Sequence, residues 1–138
     1  MPHRRPVAAG NWKMNTTPAE GAALCAALVA AAGDIAGADI VVFPPFTHLP
    51  TARAALGDSA IGLGAQNLHW EAKGAFTGEI SAAMIRELAD YVLIGHSERR
   101  QYFGVTDESV NKKLAAALAV GLTPIVCVGE SLAERAVA

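Results

Sequence analysis

The five residues from His96 to Arg100 place a histidine, a serine, a glutamate and two arginines next to one another. They follow directly on the short apolar run Tyr91–Ile94. An apolar run that ends abruptly in ionisable residues is typical of a buried strand with reactive groups at its C-terminal end. An imidazole and a carboxylate in such a place can hold or move protons. The simpler interpretation is a charged loop that opens the next helix, and these residues alone leave both open.

Polar residues follow two other apolar runs in the same way. Asn11 and Lys13 come after Val7–Gly10, and Gln66 comes after Ala60–Ala65. The C-terminal ends of parallel strands lie at one edge of a sheet, so residues in these positions would lie near the histidine.

Five apolar runs of strand length organise the chain. They are Val7–Gly10, Ala38–Phe43, Ala60–Ala65, Tyr91–Ile94 and Leu122–Val128. The runs are continuously apolar and no hairpin signal separates them, which is typical of parallel strands buried on both faces. Gly62 and Gly64 stand where a strand normally has side chains, which predicts close approach by another backbone.

Capping signals predict helices between these strands, and right-handed crossovers connect such units. Thr17 and Glu20 form a capping box around Pro18, the first helical residue. We expect this helix to end at Gly33. Four further helices are predicted. The second helix ends at Leu56, and the third spans Ile80–Leu88. The fourth follows an N-cap at Thr106, and the last begins at Leu132 after the capping box of Ser131 and Glu134.

Two stretches carry further expectations. In the helix after Thr106, Val110, Leu114 and Leu118 recur at i, i+4 and i+8, which predicts its buried face. The segment 66–78 is a long polar and aromatic loop, and loops of this length inside compact domains are usually functional.

Composition limits the class of protein. With 138 residues, of which 52% are hydrophobic, the chain has the size of one globular domain. A net charge of −2 gives no overall basic surface for nucleic acid. Cys25 and Cys127 are too few and too far apart for a disulfide framework or a zinc cluster. Without a signal-peptide pattern or an apolar run of bilayer length, we expect a cytoplasmic protein with no membrane partner.

Two α/β architectures fit the strand and helix alternation. A flavodoxin-like doubly wound sheet has this length, but it usually carries a glycine- or hydroxyl-rich phosphate loop after its first strand. That position here holds Asn11 to Asn15, with no such loop. A (β/α)₈ barrel needs about 250 residues and places its active site at the C-terminal ends of several strands. Asn11, Lys13, Gln66 and His96 fit that rule, and the pattern favours the barrel.

Six motifs in order along the chain resemble those of the triosephosphate isomerase family. They are AGNWKMN at 9–15, PPFT at 44–47, GAQN at 64–67, GAFTGEIS at 74–81, IGHSERR at 94–100 and TPIVCVGE at 123–130.

The resemblance implies a homodimeric TIM barrel enzyme of glycolysis and gluconeogenesis. Such an enzyme interconverts dihydroxyacetone phosphate and D-glyceraldehyde 3-phosphate through an enediolate, without a cofactor or a metal. Residues 1–138 would be the N-terminal portion of a single barrel domain, with about five parallel strands and four to five helices. A complementary C-terminal fragment is a possible partner.

The resemblance also assigns roles to individual residues. His96 corresponds to the catalytic electrophile, a neutral imidazole at the N-terminus of a helix that would open at about Ser97; the family is itself a standard example of this arrangement. Lys13 corresponds to the lysine that holds the substrate phosphate and stabilises enediolate charge. Asn11 would bind substrate or orient Lys13, and Glu98 would be a catalytic-site carboxylate with a positional role.

Other residues are expected at the dimer interface or in structural roles. The family's interface corresponds to Met14, Gln66, Phe76 and Thr77, with the tip of loop 66–78 inserting beside the neighbour's lysine. Arg99 and Arg100 are expected to form structural ion pairs.

Two departures from the family pattern affect the prediction. Val105 stands where the family usually has an acidic residue, which would weaken a buried polar network. The family's catalytic glutamate follows strand six, beyond the expected extent of residues 1–138, so we predict that this chain alone is inactive. The alternative function is a non-catalytic half-barrel or a flavodoxin-like binding or assembly module.

Overall fold

The computed structural model describes residues 3–32 and 34–137, which form one parallel sheet with helices on its outer side. The strands are β1 (Val7–Asn11), β2 (Asp39–Phe43), β3 (Gly62–Ala65), β4 (Tyr91–Ile94) and β5 (Thr123–Val126). The helices are α1 (Pro18–Ala32), α2 (Leu49–Leu56), α3 (Ala82–Arg86), α4 (Ser97–Tyr102), α5 (Asp107–Ala119) and α6 (Leu132–Ala136). A 3₁₀ turn, Phe46–His48, precedes α2.

The order of the strands decides between the two predicted architectures. All four strand pairs are parallel, and the sheet order is β1-β2-β3-β4-β5. A doubly wound sheet reverses its strand order at a switch point. The described sheet contains no reversal, so the flavodoxin-like alternative is excluded and the predicted partial barrel is confirmed.

The predicted number of helices, four to five, is too low, because the described residues contain six α-helices. The segment after β4 forms two of them. α4 begins at Ser97, as predicted, and ends at Tyr102, and Gly104 then adopts a φ of +65°. That left-handed residue turns the chain before Thr106 caps α5.

The capping boxes are confirmed at both ends of the chain. The Thr17 backbone N–H donates to Glu20 Oε2 over 2.8 Å, and the Glu20 N–H donates to Thr17 Oγ1 over 3.3 Å. Ser131 and Glu134 form the same reciprocal pair at α6. The predicted end of the first helix, Gly33, lies outside the described residues. The helix predicted over Ile80–Leu88 is shorter at both ends and spans Ala82–Arg86; its start is set by Ser81, which caps it by accepting a hydrogen bond from the Met84 N–H.

The predicted buried face of α5 is wrong at Leu118, which is 59% exposed. The buried residues are instead Val110, Lys113 and Ala117. Eight residues of α-helix rotate a side chain about 80° away from its starting direction, whereas seven bring it back to within about 20°. The sheet therefore selects positions i, i+3 and i+7, and Leu114 lies at the margin of this face.

The core lies between the sheet and its outer helices, and it is built around Leu63, Leu68, Ile85, Val92 and Ile94, which are almost fully buried. Burial of this apolar area provides most of the driving force for folding.

A smaller cluster, Val41, Phe43 and Leu93, lies apart from this main core, with Tyr91 packed against it. The glycines of β3 make room for this cluster. A Cβ on Gly64 would overlap the Phe43 ring, and a Cβ on Gly62 would lie 2.9 Å from the Tyr91 ring. The predicted close approach is therefore made by side chains, not by another backbone.

The edge strands depart from the prediction that every strand is buried on both faces. Val7 is 50% exposed, and the following residues of β1 up to Gly10 are exposed as well. β5 is exposed at Thr123 and Val126. No further strand pairs with β1 or β5 in the described part of the chain. Burial on both faces is thus a property of the central strands, as expected when a sheet ends in open edges.

We predict that Gly64→Ala destabilises the fold by about 1–3 kcal/mol, because the added methyl group must displace Phe43 and Tyr91. The free energy of unfolding in urea measures this loss. Gly129→Ala is the matched control, since no heavy atom lies within 4 Å of a Cβ built there. Equal stability of the two variants would contradict the packing assigned to β3.

Candidate active site

A cavity of about 450 Å³ opens at the C-terminal ends of the strands. It is lined by Asn11, Lys13, Met14, Pro45, Phe46, Gln66, Asn67, His96, Glu98, Arg99, Tyr102 and Phe103. Asn11 ends β1, Gln66 follows β3, and His96 follows β4 by two residues. The residues predicted to act together therefore meet in one place, although they come from three separate segments.

Lys13 is held at the cavity by contacts with three side chains, those of Glu98, Asn11 and Gln66. Its Nζ lies 2.6 Å from Glu98 Oε1. Its backbone N–H donates to Asn11 Oδ1 over 2.9 Å. The Gln66 side-chain amide donates to the carbonyls of Lys13, over 2.9 Å, and Phe43, over 2.8 Å. Gln66 thus ties the lysine to the end of β2.

The backbone of Lys13 is itself unusual, with a φ of +56°. A residue other than glycine in this left-handed region costs on the order of 1–3 kcal/mol and persists only where neighbours hold it. Asn11 accepts a hydrogen bond from the Lys13 N–H, and Gln66 donates one to the Lys13 carbonyl. The backbone of Lys13 is thus held on both sides of its Cα. The lysine is therefore fixed in direction by its backbone as well as by its ion pair.

His96 lies at the N-terminus of α4, where its ring is partly exposed to the cavity. Its Nδ1 accepts a hydrogen bond from the Glu98 backbone N–H over 3.2 Å. The nearer carboxylate oxygen of Glu98 is 3.6 Å from the same nitrogen, too far for a hydrogen bond. The proton of a neutral ring is therefore assigned to Nε2, which can donate to a bound molecule.

Glu98 is ionised, because the hydrogen bond from Lys13 lowers the pKa of its carboxyl group below the ordinary value. Partial desolvation opposes this effect, and the charge of Lys13 adds to it. The carboxylate therefore acts as a fixed anchor for the lysine.

The two arginines after Glu98 have different environments. Arg100 forms the predicted structural ion pair, with Nη1 lying 2.6 Å from Asp107 Oδ1. It also donates to the carbonyls of Gly95, over 2.9 Å, and Cys127, over 3.3 Å, and so joins the ends of β4 and β5 to α5. The ion pair predicted for Arg99 is not found in the described residues; its guanidinium lies 4.9 Å from the centre of the Phe103 ring instead. Its Nε is buried without a partner among the described residues.

Lys113 is a buried residue of the site region that the sequence interpretation missed. Its Nζ donates to Asn67 Oδ1 over 2.8 Å, beneath the cavity wall. Burial lowers the pKa of this lysine, the charge of Arg99 lowers it further, and Glu79 opposes both. The sequence did contain a signal for this burial. Lys113 stands three residues after Val110, and that spacing places it on the buried face of α5.

The four residues predicted for a dimer interface fall in two places: Met14 and Gln66 line the cavity, and Phe76 and Thr77 are neighbours in the loop 66–78. Met14 is 95% exposed at the rim of the cavity. Phe76 stacks on His69 with ring centres 4.5 Å apart, and Thr77 is exposed beside it. Gln66 uses its amide within the chain. The interface itself stays a prediction.

The described residues contain no cluster of three or more histidine, cysteine, aspartate or glutamate side chains arranged to hold a metal ion. None of the helices between residues 3 and 137 has the length and apolar character that crossing a membrane requires.

Comparison with known proteins agrees with this geometry. The sequence model of the triosephosphate isomerase family matches residues 6–138. Curated triosephosphate isomerases from Herpetosiphon aurantiacus and Endomicrobium trichonymphae are 57% and 58% identical to this chain over 133 residues, which cover 96% of this chain and 53% of each relative. The crystal structure of triosephosphate isomerase from Bartonella henselae matches with a TM-score of 0.92 and 41% identity, covering 97% of this chain and 56% of that chain.

The chain spans about half the length of the curated relatives it matches. Over that half, the match extends through sequence, strand order and overall coordinates. The chain therefore belongs to the triosephosphate isomerase family.

Proposed function

We propose that this chain supplies the electrophile and the cation of a triosephosphate isomerase active site, as the N-terminal portion of one TIM barrel domain. The reaction would interconvert dihydroxyacetone phosphate and D-glyceraldehyde 3-phosphate through an enediolate. The observation that carries the proposal is the meeting of Lys13, Glu98 and His96 at one cavity, with His96 Nε2 free to donate.

His96 is the electrophile in this proposal. Moving a carbonyl between adjacent carbons places negative charge on the substrate oxygens. A preorganised N–H donor at such an oxygen stabilises the enediolate more than the ground state. The hydrogen bond from the Glu98 N–H to Nδ1 supports this role, because it leaves the ring proton at Nε2 and fixes the ring orientation.

Lys13 is the cation for the substrate phosphate and the developing enediolate charge. A fixed positive charge needs no reorganisation during the reaction, and the strained backbone and Glu98 provide that fixation. Asn11 supports the same turn through its bond to the Lys13 N–H, and its position at the cavity also allows contact with substrate.

The base that takes the carbon-bound proton is proposed to lie outside residues 1–138, after the sixth strand of the family's barrel. Glu98 is a carboxylate of the cavity wall, but it is a poor candidate for this role. Its hydrogen bond to Lys13 lowers its pKa, and a lowered pKa makes a weaker base.

A homodimer is proposed for the complete enzyme, with Met14, Gln66, Phe76 and Thr77 at the interface. The high exposure of Met14 beside the cavity supports this assignment, since an exposed methionine of this kind often marks a contact surface. The bonds of Gln66 within its own chain indicate that its part would be indirect, through the position of Lys13.

We predict that the 138-residue chain alone has no isomerase turnover, and that the C-terminal remainder of the Herpetosiphon aurantiacus relative restores it. The open edges at β1 and β5 are where the added strands would pair. A coupled assay of glyceraldehyde 3-phosphate formation measures turnover, with the remainder alone as control. Turnover typical of the family from this chain alone would contradict the placement of the base.

In the restored barrel, Lys13→Met is expected to lower kcat/KM on the order of 10²–10³-fold, because a fixed charge at the enediolate is lost. Lys112→Met is the matched control, since that ammonium lies beside Trp70 and Glu108, away from the cavity. Equal losses in the two variants would remove Lys13 from the proposed mechanism.

The lowered pKa of Glu98 predicts how the Lys13–Glu98 pair depends on pH. A carboxyl group whose pKa is lower in the folded state stabilises that state above its unfolded pKa, and this contribution is lost as the pH falls through the folded pKa. Carbon-detected NMR titration of the Glu98 carboxyl group should give a midpoint below the ordinary glutamate range. Lys13→Met should move the midpoint upward, and an unchanged midpoint would show that the lysine is not its cause.

A further inference from the structure

We propose that His48 is a positioning residue for Lys13 and that it acts through Thr16. The inference rests on the proposed function, because that function gives Lys13 its role. Thr16 lies three residues after Lys13 and has a φ of +69°. The turn that carries the lysine therefore contains two left-handed residues other than glycine, Lys13 and Thr16.

His48 holds this second left-handed residue. The imidazole is 2% exposed and ends the 3₁₀ turn before α2. Its Nε2 lies 3.0 Å from Thr16 Oγ1, and its Nδ1 lies 3.1 Å from Thr47 Oγ1. Both ring nitrogens are thus bonded to threonine hydroxyl groups from opposite sides of the ring.

The hydrogen-bond pattern assigns a direction to each contact. The Thr16 hydroxyl group donates its single proton to the carbonyl of Asn15, 2.5 Å away. It can therefore only accept from His48, so the imidazole proton lies on Nε2. Nδ1 then accepts from the Thr47 hydroxyl group. A neutral imidazole satisfies both contacts at once.

Close packing prevents the imidazole from moving. A Cβ on Gly21 of α1 would lie 2.6 Å from His48 Cδ2 and 3.1 Å from the Trp12 ring. The Trp12 ring meets His48 edge to face, with ring centres 6.3 Å apart. The Asn15 side-chain amide donates to the Trp12 carbonyl over 2.7 Å, and this bond closes the turn between the two residues.

The consequence for Lys13 follows from the shortness of the turn. Without its bond to His48, Thr16 is free to return to the ordinary region of φ below zero, which other residues prefer. Only Met14 and Asn15 separate it from Lys13, so a rotation at Thr16 moves the lysine backbone. Asn11 and Gln66 hold the other end of the turn, and His48 completes the restraint.

Three variants test this proposal. His48→Phe keeps an aromatic ring in the packed site and removes both hydrogen bonds. His48→Gln keeps an N–H donor that can reach Thr16. Thr16→Gly places a residue that adopts positive φ without strain, so the turn no longer requires the clamp.

The first measurement uses the 138-residue chain itself and is independent of turnover. NMR backbone couplings report φ at Lys13 and Thr16 in each variant. We expect His48→Phe to shift both couplings, and His48→Gln and Thr16→Gly to retain them. Unchanged couplings in His48→Phe would overturn the proposal, and so would equal shifts in His48→Phe and His48→Gln.

The second measurement uses the barrel restored with the C-terminal remainder. His48→Phe should raise KM about tenfold, because a displaced lysine binds the phosphate poorly. His48→Gln should return KM to within about twofold of the original value, and His48→Phe should have little further effect in the Thr16→Gly background. An unchanged kcat/KM per folded protein in His48→Phe, or additive effects in the double variant, would indicate a purely structural histidine. If the original barrel shows no isomerase activity, the proposed function fails, and the couplings still decide whether His48 positions the turn.

Discussion

The ion pair between Lys13 and Glu98 is the contact on which the site depends, because it joins segments that are 85 residues apart. β1 and β4 are not neighbours, since β2 and β3 lie between them. In a flat sheet their ends would lie about 14 Å apart, at about 4.8 Å per strand. The curl of a barrel sheet and the length of the two side chains bring their charges to 2.6 Å. The cavity therefore forms only because the strands pair in parallel and in chain order within a curled sheet.

Support for the site is uneven across the sheet. The middle strands are buried and hold His96 through the end of β4, where Arg100 also ties in the end of β5. β1, which delivers Asn11 and Lys13, is an exposed edge. Its end is instead held by side chains from other segments, Gln66 and Glu98. Polar contacts thus hold the end of β1 in place, as burial holds the central strands. An exposed β1 agrees with the proposal that further strands of the complete barrel pair with this edge.

Strained backbone is concentrated in the turn after β1. Lys13 and Thr16 are the two described residues other than glycine with positive φ, and both flank the same short turn. Such conformations persist where surrounding groups determine them, and they often occur at functional sites. A backbone turn fixed in this way reduces the conformational entropy that is lost when an anion binds to its lysine.

The sequence by itself determined the elements whose signals are local. The apolar runs located the strands, and the capping box at Thr17 began α1. The polar residues at strand ends predicted that Lys13 and His96 would lie close together, and both line the cavity. The motifs of the sequence also indicated the family, which the comparisons show. Local patterns suffice there because hydrogen bonds of caps and turns join residues three or four apart.

Tertiary structure decided what depends on distant partners. Packing against the sheet set the rotation of α5, so that Lys113 is buried and Leu118 is exposed. The bonds of Gln66 to Lys13 and of His48 to Thr16 join residues 53 and 32 positions apart. No periodicity or spacing records such contacts, because only the folded sheet brings their atoms within hydrogen-bond distance.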